Sequence, residues 1–543
     1  MFSRLVDWTS ADFSWHRDVC FSNALFPALP YPLMNSTVGG GRDVSAVWEM
    51  SRLQFVPTLL AANGTGEPDT LDPFRRLVDS WIAANPRGIG PNWMNGMDVG
   101  LRGINLALGL AFYSDVLADR RDLYARVLWA HILYIVQNDI RRGHRPRNNH
   151  FLTSLAGLIV MVGLFEGAEA ERILGMANRA LVGEVLFQFR PDGGSFESST
   201  HYHMVSLEGA LTALLFLRAW RAAGRNAESA AWSPEALDRL RRALDLAADS
   251  VTACAASPQF GDSTFTRIFL YRDYFSWRPI DPTYLWDLAD AALQGGYHPP
   301  TEIRRACYDD SGYGFFAGSR YGVGLNSNAI GSGRDPGQGH HHCDKGSLVM
   351  QIGGQPLLAD SGTFCYTSDI AARFAFKRSS AHNVVIVDGE EQLEVRPEHV
   401  FGALRSASAR IRHGLADGVA TFVMEHDGYT RLPGLGQVVR TVRCHPDRVV
   451  IEDRIDGTGL HGVETLWHLH PDVEVREEPG GFRLRLSNGG GCRLVPPPGM
   501  QAFLEPASYS EAYGERRPSR RIRFAGRGPL PFETRCVFEV ESP

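Results

Sequence analysis

No apolar run in the sequence approaches the roughly 18 residues that a bilayer-spanning helix requires, so no membrane insertion is expected. No CxxC pair occurs either. The eight cysteines stand singly (Cys20, Cys254, Cys307, Cys343, Cys365, Cys444, Cys492 and Cys536), which argues against a zinc ribbon or a thioredoxin-type site. In a chain of 543 residues a disulfide scaffold is unnecessary, so free thiols are expected. Blocks of like charge are missing too. The net charge is -6, with neither an acidic tail nor a basic arm, which argues against nucleic acid as a partner. An acidic polymer stays compatible with that total, because a local basic groove can sit within a net-negative protein. The opening Met1–Asp18 lacks a basic stretch followed by an apolar core and does not read as a secretory signal. A cytoplasmic chain and an exported one whose signal has been removed both stay open. No strict internal repeat is found, and nothing in the sequence fixes an oligomeric state.

What is present is ordinary globular composition, 44% hydrophobic and 21% charged, over a length that exceeds one core. Two textures divide it. From about Asp43 to about Gln294, apolar residues recur at three- and four-residue intervals. The segments are Val44–Ala61, Leu71–Ala84, Met97–Leu117, Leu123–Ile140, Phe151–Phe165, Ala170–Phe189, Met204–Ala223 and Pro234–Ala255, with short Gly, Pro, Asn or Asp breaks between them. Helices of similar length with short links predict antiparallel hairpins. From about Gly312 the glycines multiply and short β-type runs appear: Ser347–Ile352, Asn383–Val387, Arg448–Ile455, Phe482–Leu486 and Arg521–Phe524. Many short strands with turn signals predict an antiparallel β-sandwich. The change falls near 295–312, so the expected division is a helical domain over 1–300 and a sandwich over 301–543.

Three polar clusters stand out against this background. The first is Arg147-Asn148-Asn149-His150, directly before an apolar helix. One asparagine is accounted for as a helix cap; the whole group is not. The second runs from Asp192 through Gly193-Gly194-Ser195-Phe196-Glu197-Ser198-Ser199-Thr200-His201-Tyr202-His203, a loop dense in titratable groups between two helices. The third is Gly339-His340-His341-His342-Cys343-Asp344. In an extended run His340 and His342 would share a face, with His341 and Cys343 opposite. Asp360 and His382 offer further metal-compatible groups, and two imidazoles with a carboxylate and water suit zinc.

Taken in order, these strings resemble the heparinase II/III family. Gly-His340-x-His342-x-Asp344, then Leu-Ala-Asp360-Ser-Gly-Thr, then Ala-His382-Asn383-Val-Val are similar to its sandwich motifs. Asn149-His150, the Glu197–His203 stretch and Asn92-Trp93-Met94-Asn95-Gly96-Met97-Asp98-Val99-Gly100-Leu101-Arg102 are similar to its helical ones. The resemblance implies an incomplete α/α toroid joined to an antiparallel β-sandwich, and eliminative cleavage of uronic-acid polysaccharides. It implies catalytic roles for Asn149 and His150 at the uronate carboxylate, for Tyr202, and for His340. It implies a structural zinc on His342, Asp360 and His382, with no organic cofactor. Asn95, Arg102, Glu197, His201 and Arg373 are expected to meet substrate. Where family members often carry Tyr, this chain has Phe364, and Tyr366 or Arg373 could compensate.

The chemistry sorts the roles. Elimination removes the proton at C5 of a uronate and expels the 4-linked oxygen, so the carboxylate must be neutralised by donors such as Asn149 and His150. Tyrosine starts near pKa 10, so Tyr202 serves first as the acid. The base is His340 or His150, since histidine titrates near neutrality. Two other readings compete. A toroid glycosidase would need a carboxyl pair from Asp98, Asp192 and Glu197, and leaves the histidines unexplained. A non-catalytic polysaccharide-binding or assembly protein could keep the fold alone. Arg102, Arg145, Arg147, Arg334, Arg373 and Arg378 could line a cationic groove, although each is individually more ordinary as a solvated or ion-paired side chain.

Overall fold

The computed structural model describes residues 6–10, 12–34, 41–64, 70–141, 147–225, 232–264, 266–268, 283–295, 297–299, 305–328, 339–397, 400–401 and 407–541. Among them the first half is helical: α1 (Val44–Ser51), α2 (Phe55–Gly64), α3 (Leu71–Ala84), α4 (Gly96–Phe112), α5 (Arg121–Ile135), α6 (Asn149–Val162), α7 (Ala168–Gln188), α8 (Thr200–Ala222), α9 (Pro234–Cys254) and α10 (Thr283–Leu293). The even-numbered helices α2, α4, α6, α8 and α10 touch in series, while α5 and α7 back onto α6 and α9 backs onto α7 and α8. That is the inner and outer layering of an incomplete α/α toroid. Their shared interior is one continuous apolar core, from Trp81 and Trp93 through Leu155 and Ile159 to Leu240 and Leu285. Alternating direction along the chain sets α4, α6 and α8 parallel, so their N-termini gather at one end. Each of these starts is fixed by its own cap: Asn95, Asn148 and Ser199 accept from backbone N–H groups of the first turn.

Two expected helices differ from their sequence signal. The segment expected as Val44–Ala61 is broken at Leu53, whose φ of +58° no helix accommodates. The segment expected as Leu123–Ile140 ends as α-helix at Ile135 and continues as a wider π-turn over Val136–Ile140.

The second half is β-rich: β1 (Arg305–Tyr308), β2 (Tyr313–Ala317), β3 (Tyr321–Asn326), β4 (Ser347–Ile352), β5 (Gln355–Leu358), β6 (Val385–Val387), β7 (Ala409–Ala416), β8 (Val419–His426), β9 (Leu435–Cys444) and β10 (Arg448–Gly457). It continues through β11 (Leu460–Leu469), β12 (Glu474–Glu478), β13 (Gly481–Arg485), β14 (Gly491–Val495), β15 (Gln501–Tyr509), β16 (Arg517–Pro529) and β17 (Phe532–Glu541). One helix, α11 (Ile370–Lys377), interrupts them. One sheet runs β1-β2-β3-β4-β5-β11-β16-β15, with β6 also on β11; the other runs β12-β13-β14-β17-β10-β9-β8-β7, and every strand pair is antiparallel. Inward residues such as Val323, Met350, Phe422, Val442, Trp467 and Phe538 fill the space between the sheets.

The halves are bolted together. The end of α9 lies on β3, where Gly322 has no room for a side chain because a Cβ would strike the Ala253 carbonyl. Tyr308 donates to Asp249 Oδ2 at 2.7 Å, and Tyr513 donates to Asp43 Oδ2 at 2.5 Å.

Candidate active site

The gathered N-termini of α6 and α8 face a loop of the sandwich, and a strap between α9 and α10 threads the gap. Asn149 opens α6 and is fully buried. Its backbone N–H and its Nδ2 both donate to Glu197 Oε1, at 2.7 and 2.9 Å. Glu197 sits in the α7–α8 loop, two residues before the capping Ser199. The strap carries Gly261 and Asp262. Gly261 has φ +68°, and a Cβ there would collide with the Ser198 carbonyl and stand 2.6 Å from that of His340. Backbone bonds lock the crossing: Asp262 N–H donates to the His340 carbonyl at 2.7 Å, and Ser199 Oγ donates to the Asp262 carbonyl at 2.6 Å.

His340 is the hub. Its ring stacks on Tyr202 with centroids 3.5 Å apart and an interplanar angle of 13°. Its Nδ1 is 3.0 Å from Asp262 Oδ2, and its Nε2 faces Asn149 Nδ2 at 3.4 Å and Glu197 Oε2 at 3.9 Å. Asp262 also meets His342 Nε2 at 2.8 Å and takes both terminal nitrogens of Arg373. Burial alone would raise the Asp262 carboxyl, but Arg373, His340 and His342 together hold it well below the usual range. An ionised carboxylate only accepts, so Nδ1 of His340 carries the hydrogen and Nε2 is the nitrogen turned to Asn149 and Glu197. The Tyr202 hydroxyl is 2.9 Å from that of Tyr366. Burial raises the Tyr202 phenol well above its ordinary value, and the bond to Tyr366 only partly offsets this, so Tyr202 holds its proton. Burial likewise raises Glu197, against the pull of His340 and Asn149. Asn149 Oδ1 and Glu197 Oε2 are buried without a hydrogen-bond partner among the described residues.

The run 339–346 is a loop rather than a strand, so the shared face of His340 and His342 comes from another source: both imidazoles converge on Asp262. His342, Asp360 and His382 are fully or almost fully buried and offer ligand atoms within 4.8 Å of one another. His382 Nδ1 is 2.7 Å from Asp360 Oδ2. Burial brings His342 down to about 4, so it is neutral and able to ligate. His342 Nδ1 and His382 Nε2 are buried with no hydrogen-bond partner among the described residues, an arrangement that costs about 1–3 kcal/mol per group unless something fills it. Two imidazoles with such unpartnered nitrogens and a carboxylate fit a zinc ion, which would displace the proton that Asp360 favours on His382. A ligating histidine whose other nitrogen donates to a carboxylate, as His342 does to Asp262, is the usual support.

Several expected substrate contacts take other roles. Arg373 is completely buried as the counter-ion of Asp262 and stacks over Tyr366, so its charge is already spent. Arg102 is fully buried over Trp81 and close to Trp93, donates to His131 and to the Asn92 carbonyl, and is brought down to about 9 by burial; it belongs to the toroid core. Asn95 caps α4 and spends its amide on Met97 N–H and Asp98. His201 is buried beside Thr264 at 3.3 Å and held neutral, near 3, by burial, so it seats the strap. Glu197 meets Asn149 and His340 rather than open solvent. His150 follows Asn149 on the first turn of α6, half-buried, its N–H bonded to Asn148. Arg147 pairs with Glu184, and Arg378 stands 4.0 Å from Glu391. Arg145, Arg334 and the Gly331–Gly333 stretch lie outside the described residues. Cys343 is a buried thiol, as expected. Asp262 was not foreseen: Gly261-Asp262-Ser263 has the composition of any turn, and only its place at the crossing of three segments gives it meaning.

Comparison with known proteins places this architecture. The heparinase II/III N-terminus model matches residues 118–284, and the heparinase II/III-like C-terminal model matches 304–539, together well over half the chain. No curated protein matches the sequence. Among solved structures, that of heparinase III superposes with a TM-score of 0.71 at 15% identity, covering 94% of this chain and 79% of the other. A heparan sulfate lyase mutant from Pedobacter heparinus gives 0.64 at 15% identity, covering 94% and 79%. The Streptomyces coelicolor A3 chondroitin AC lyase, in complex with chondroitin sulphate, gives 0.53 at 14% identity, covering 94% and 78%.

Proposed function

This chain belongs to the heparinase II/III family, and from that premise we propose that it is a polysaccharide lyase that cleaves an acidic, uronate-containing polymer by β-elimination. The observation that carries the reading is the imidazole of His340, backed by ionised Asp262 on one side and stacked on the protonated phenol of Tyr202 on the other.

In this reading the substrate carboxylate lies beside Asn149. The Nδ2 hydrogen not taken by Glu197 makes only a long 3.4 Å contact with His340 Nε2, which the carboxylate would displace, and Glu197, its carboxyl raised by burial, can share a proton with it. His340 Nε2 removes the C5 proton. The C–H electron pair becomes the C4–C5 double bond, the bond from C4 to the linking oxygen breaks, and Tyr202 protonates that oxygen. Asp262 stabilises the imidazolium, as a carboxylate behind a general-base histidine does. His340 then releases its proton to solvent and Tyr202 takes one back, with the Tyr366 hydroxyl 2.9 Å from the phenol oxygen. His340 is favoured over His150 as base because its Nδ1 is backed by a carboxylate. A zinc ion on His342, Asp360 and His382 would act structurally, fixing the loop that carries His340. The heparan sulfate and chondroitin sulphate in the names of similar structures make those polymers the first substrates to try.

The test is ultraviolet absorbance during incubation with heparan sulfate, chondroitin sulfate, hyaluronan, alginate and glucuronan. A rise from the new double bond is expected on at least one polymer. Tyr202→Phe, which keeps the stacking ring, is expected to lower kcat by about 10²–10⁴-fold with little change in melting temperature. New reducing ends without the absorbance would contradict elimination and point to hydrolysis.

A further inference from the structure

On the outermost strands of the sandwich, apart from the catalytic loop's histidines, three side chains have the makings of a second metal centre. Cys307 lies on β1, Asp309 follows two residues later, and His413 lies on β7. One ligand atom from each, a thiol sulfur, a carboxylate oxygen and an imidazole nitrogen, fall within 4.8 Å of one another. The thiol is a free cysteine that points at Asp309 Oδ1, 2.9 Å away. The strands matter as much as the side chains. β1 is the terminal strand of one sheet and β7 of the other, and the two edges touch here. Asp309 and His413 are exposed and Cys307 half-buried, so an ion could enter from solvent.

The local field also favours a cation. The charged groups that act on the Cys307 thiol, Asp309 and Asp192, are both carboxylates. Asp192 in turn feels Asp310. Asp309 thus stands against the thiol, and Asp192 reaches the same region from the α7–α8 loop, held there by Ser311. A divalent ion held by the thiol, Asp309 and His413 would sit in that negative potential.

We propose that Cys307, Asp309 and His413 form a zinc-class metal site that clips together the free edges of the two sheets. The donor set selects the ion. Sulfur disfavours hard Ca²⁺ and Mg²⁺, while thiolate, imidazole and carboxylate with one water complete a tetrahedron for Zn²⁺ or its analogues. On binding, the Sγ–H bond breaks, its proton passes to water, and the sulfur electron pair goes to the metal. No oxidant or reductant takes part. An open sheet edge is a liability for pairing with other chains, and a metal bridge between two such edges closes it.

Cobalt distinguishes this site from the one at His342, Asp360 and His382, which has no sulfur ligand. Metal-stripped full-length protein would be titrated with Co²⁺ while thiolate-to-cobalt charge-transfer absorbance is followed in the near ultraviolet. The band should rise to saturation, fall when Zn²⁺ is added, persist in His342→Ala and vanish in Cys307→Ser. His413→Ala, whose exposed position leaves folding intact, should weaken Co²⁺ binding about tenfold or more. Cobalt loading with no sulfur band, or a band unchanged in Cys307→Ser, would overturn the proposal.

Discussion

At the scale of single residues, the candidate site is a problem in buried charge. Asp262, Glu197, Arg373 and three histidines share a small volume with almost no exposure. Such groups persist only when paired, and Asp262 with Arg373 supplies the main pair. Glu197 has no cation of that kind, and burial raises its carboxyl. A carboxyl whose folded-state pKa lies above its unfolded value contributes most to stability while protonated, below the unfolded value. That contribution is lost as pH rises through the folded value. Glu197→Gln should therefore be more stable than the parent at neutral pH and equal to it in acid, while activity falls. Urea unfolding at several pH values checks this, and a variant less stable at neutral than at acid pH, relative to the parent, would refute it. Asn149, Tyr202, His340 and the three metal-compatible residues were legible because they stand in strings whose order and spacing resemble a family pattern. Asp262 was not, since a lone Gly-Asp turn has no pattern to stand in. Arg373 and Arg102 were legible as residues and misread in role, because an arginine's sequence neighbours do not reveal that its guanidinium is buried and bonded inside the protein.

At the scale of elements, the helices were the readable part. Their 3.6-residue periodicity survives because each buries one face in a continuous core. Breaks at Leu53 and at Val136 escaped because neither residue is Gly or Pro. The strands were less legible. β2 and β3 are buried throughout and show no alternation, whereas β4 was expected as Ser347–Ile352. α11 was missed inside a stretch of β texture, although Asp369 caps it in the ordinary way. The strap carrying Gly261 and Asp262 is the element that matters most to the site, and its described residues among 255–268 have no regular secondary structure to announce it. Its conformation depends on Gly261. Gly261→Ala places a Cβ against two carbonyls at positive φ, and should cost more than about 1 kcal/mol in stability. It should also lower activity out of proportion to that loss, because Asp262 moves with the strap. Thermal unfolding beside kcat measures both, and a variant with parental kcat would show that the strap does not position His340.

At the scale of the molecule, the toroid and the sandwich each bury their own core, and the site exists only where they meet. Asn149, Tyr202 and Asp262 come from one half; His340, Tyr366 and Arg373 come from the other. Relative placement of the halves is therefore catalytic geometry. The proposed zinc belongs to this scale. Removing it with a chelator, or by His342→Ala, should lower the melting temperature by several degrees, as loss of about 1–3 kcal/mol does in a domain of this size. Activity should return on adding Zn²⁺ back to the chelated parent and not to the variant. Unchanged melting in metal-free protein would remove zinc from the account.

The central claim is that the glycosidic bond is broken by elimination and without water. Digestion in water enriched in heavy oxygen, followed by mass spectrometry of the fragments at early times, tests it directly. Elimination is expected to give fragments whose new non-reducing end is lighter by one water than a hydrolysis product, with no heavy oxygen fixed by the cleavage step. Fragments of full hydrolytic mass that carry the heavy oxygen would contradict it.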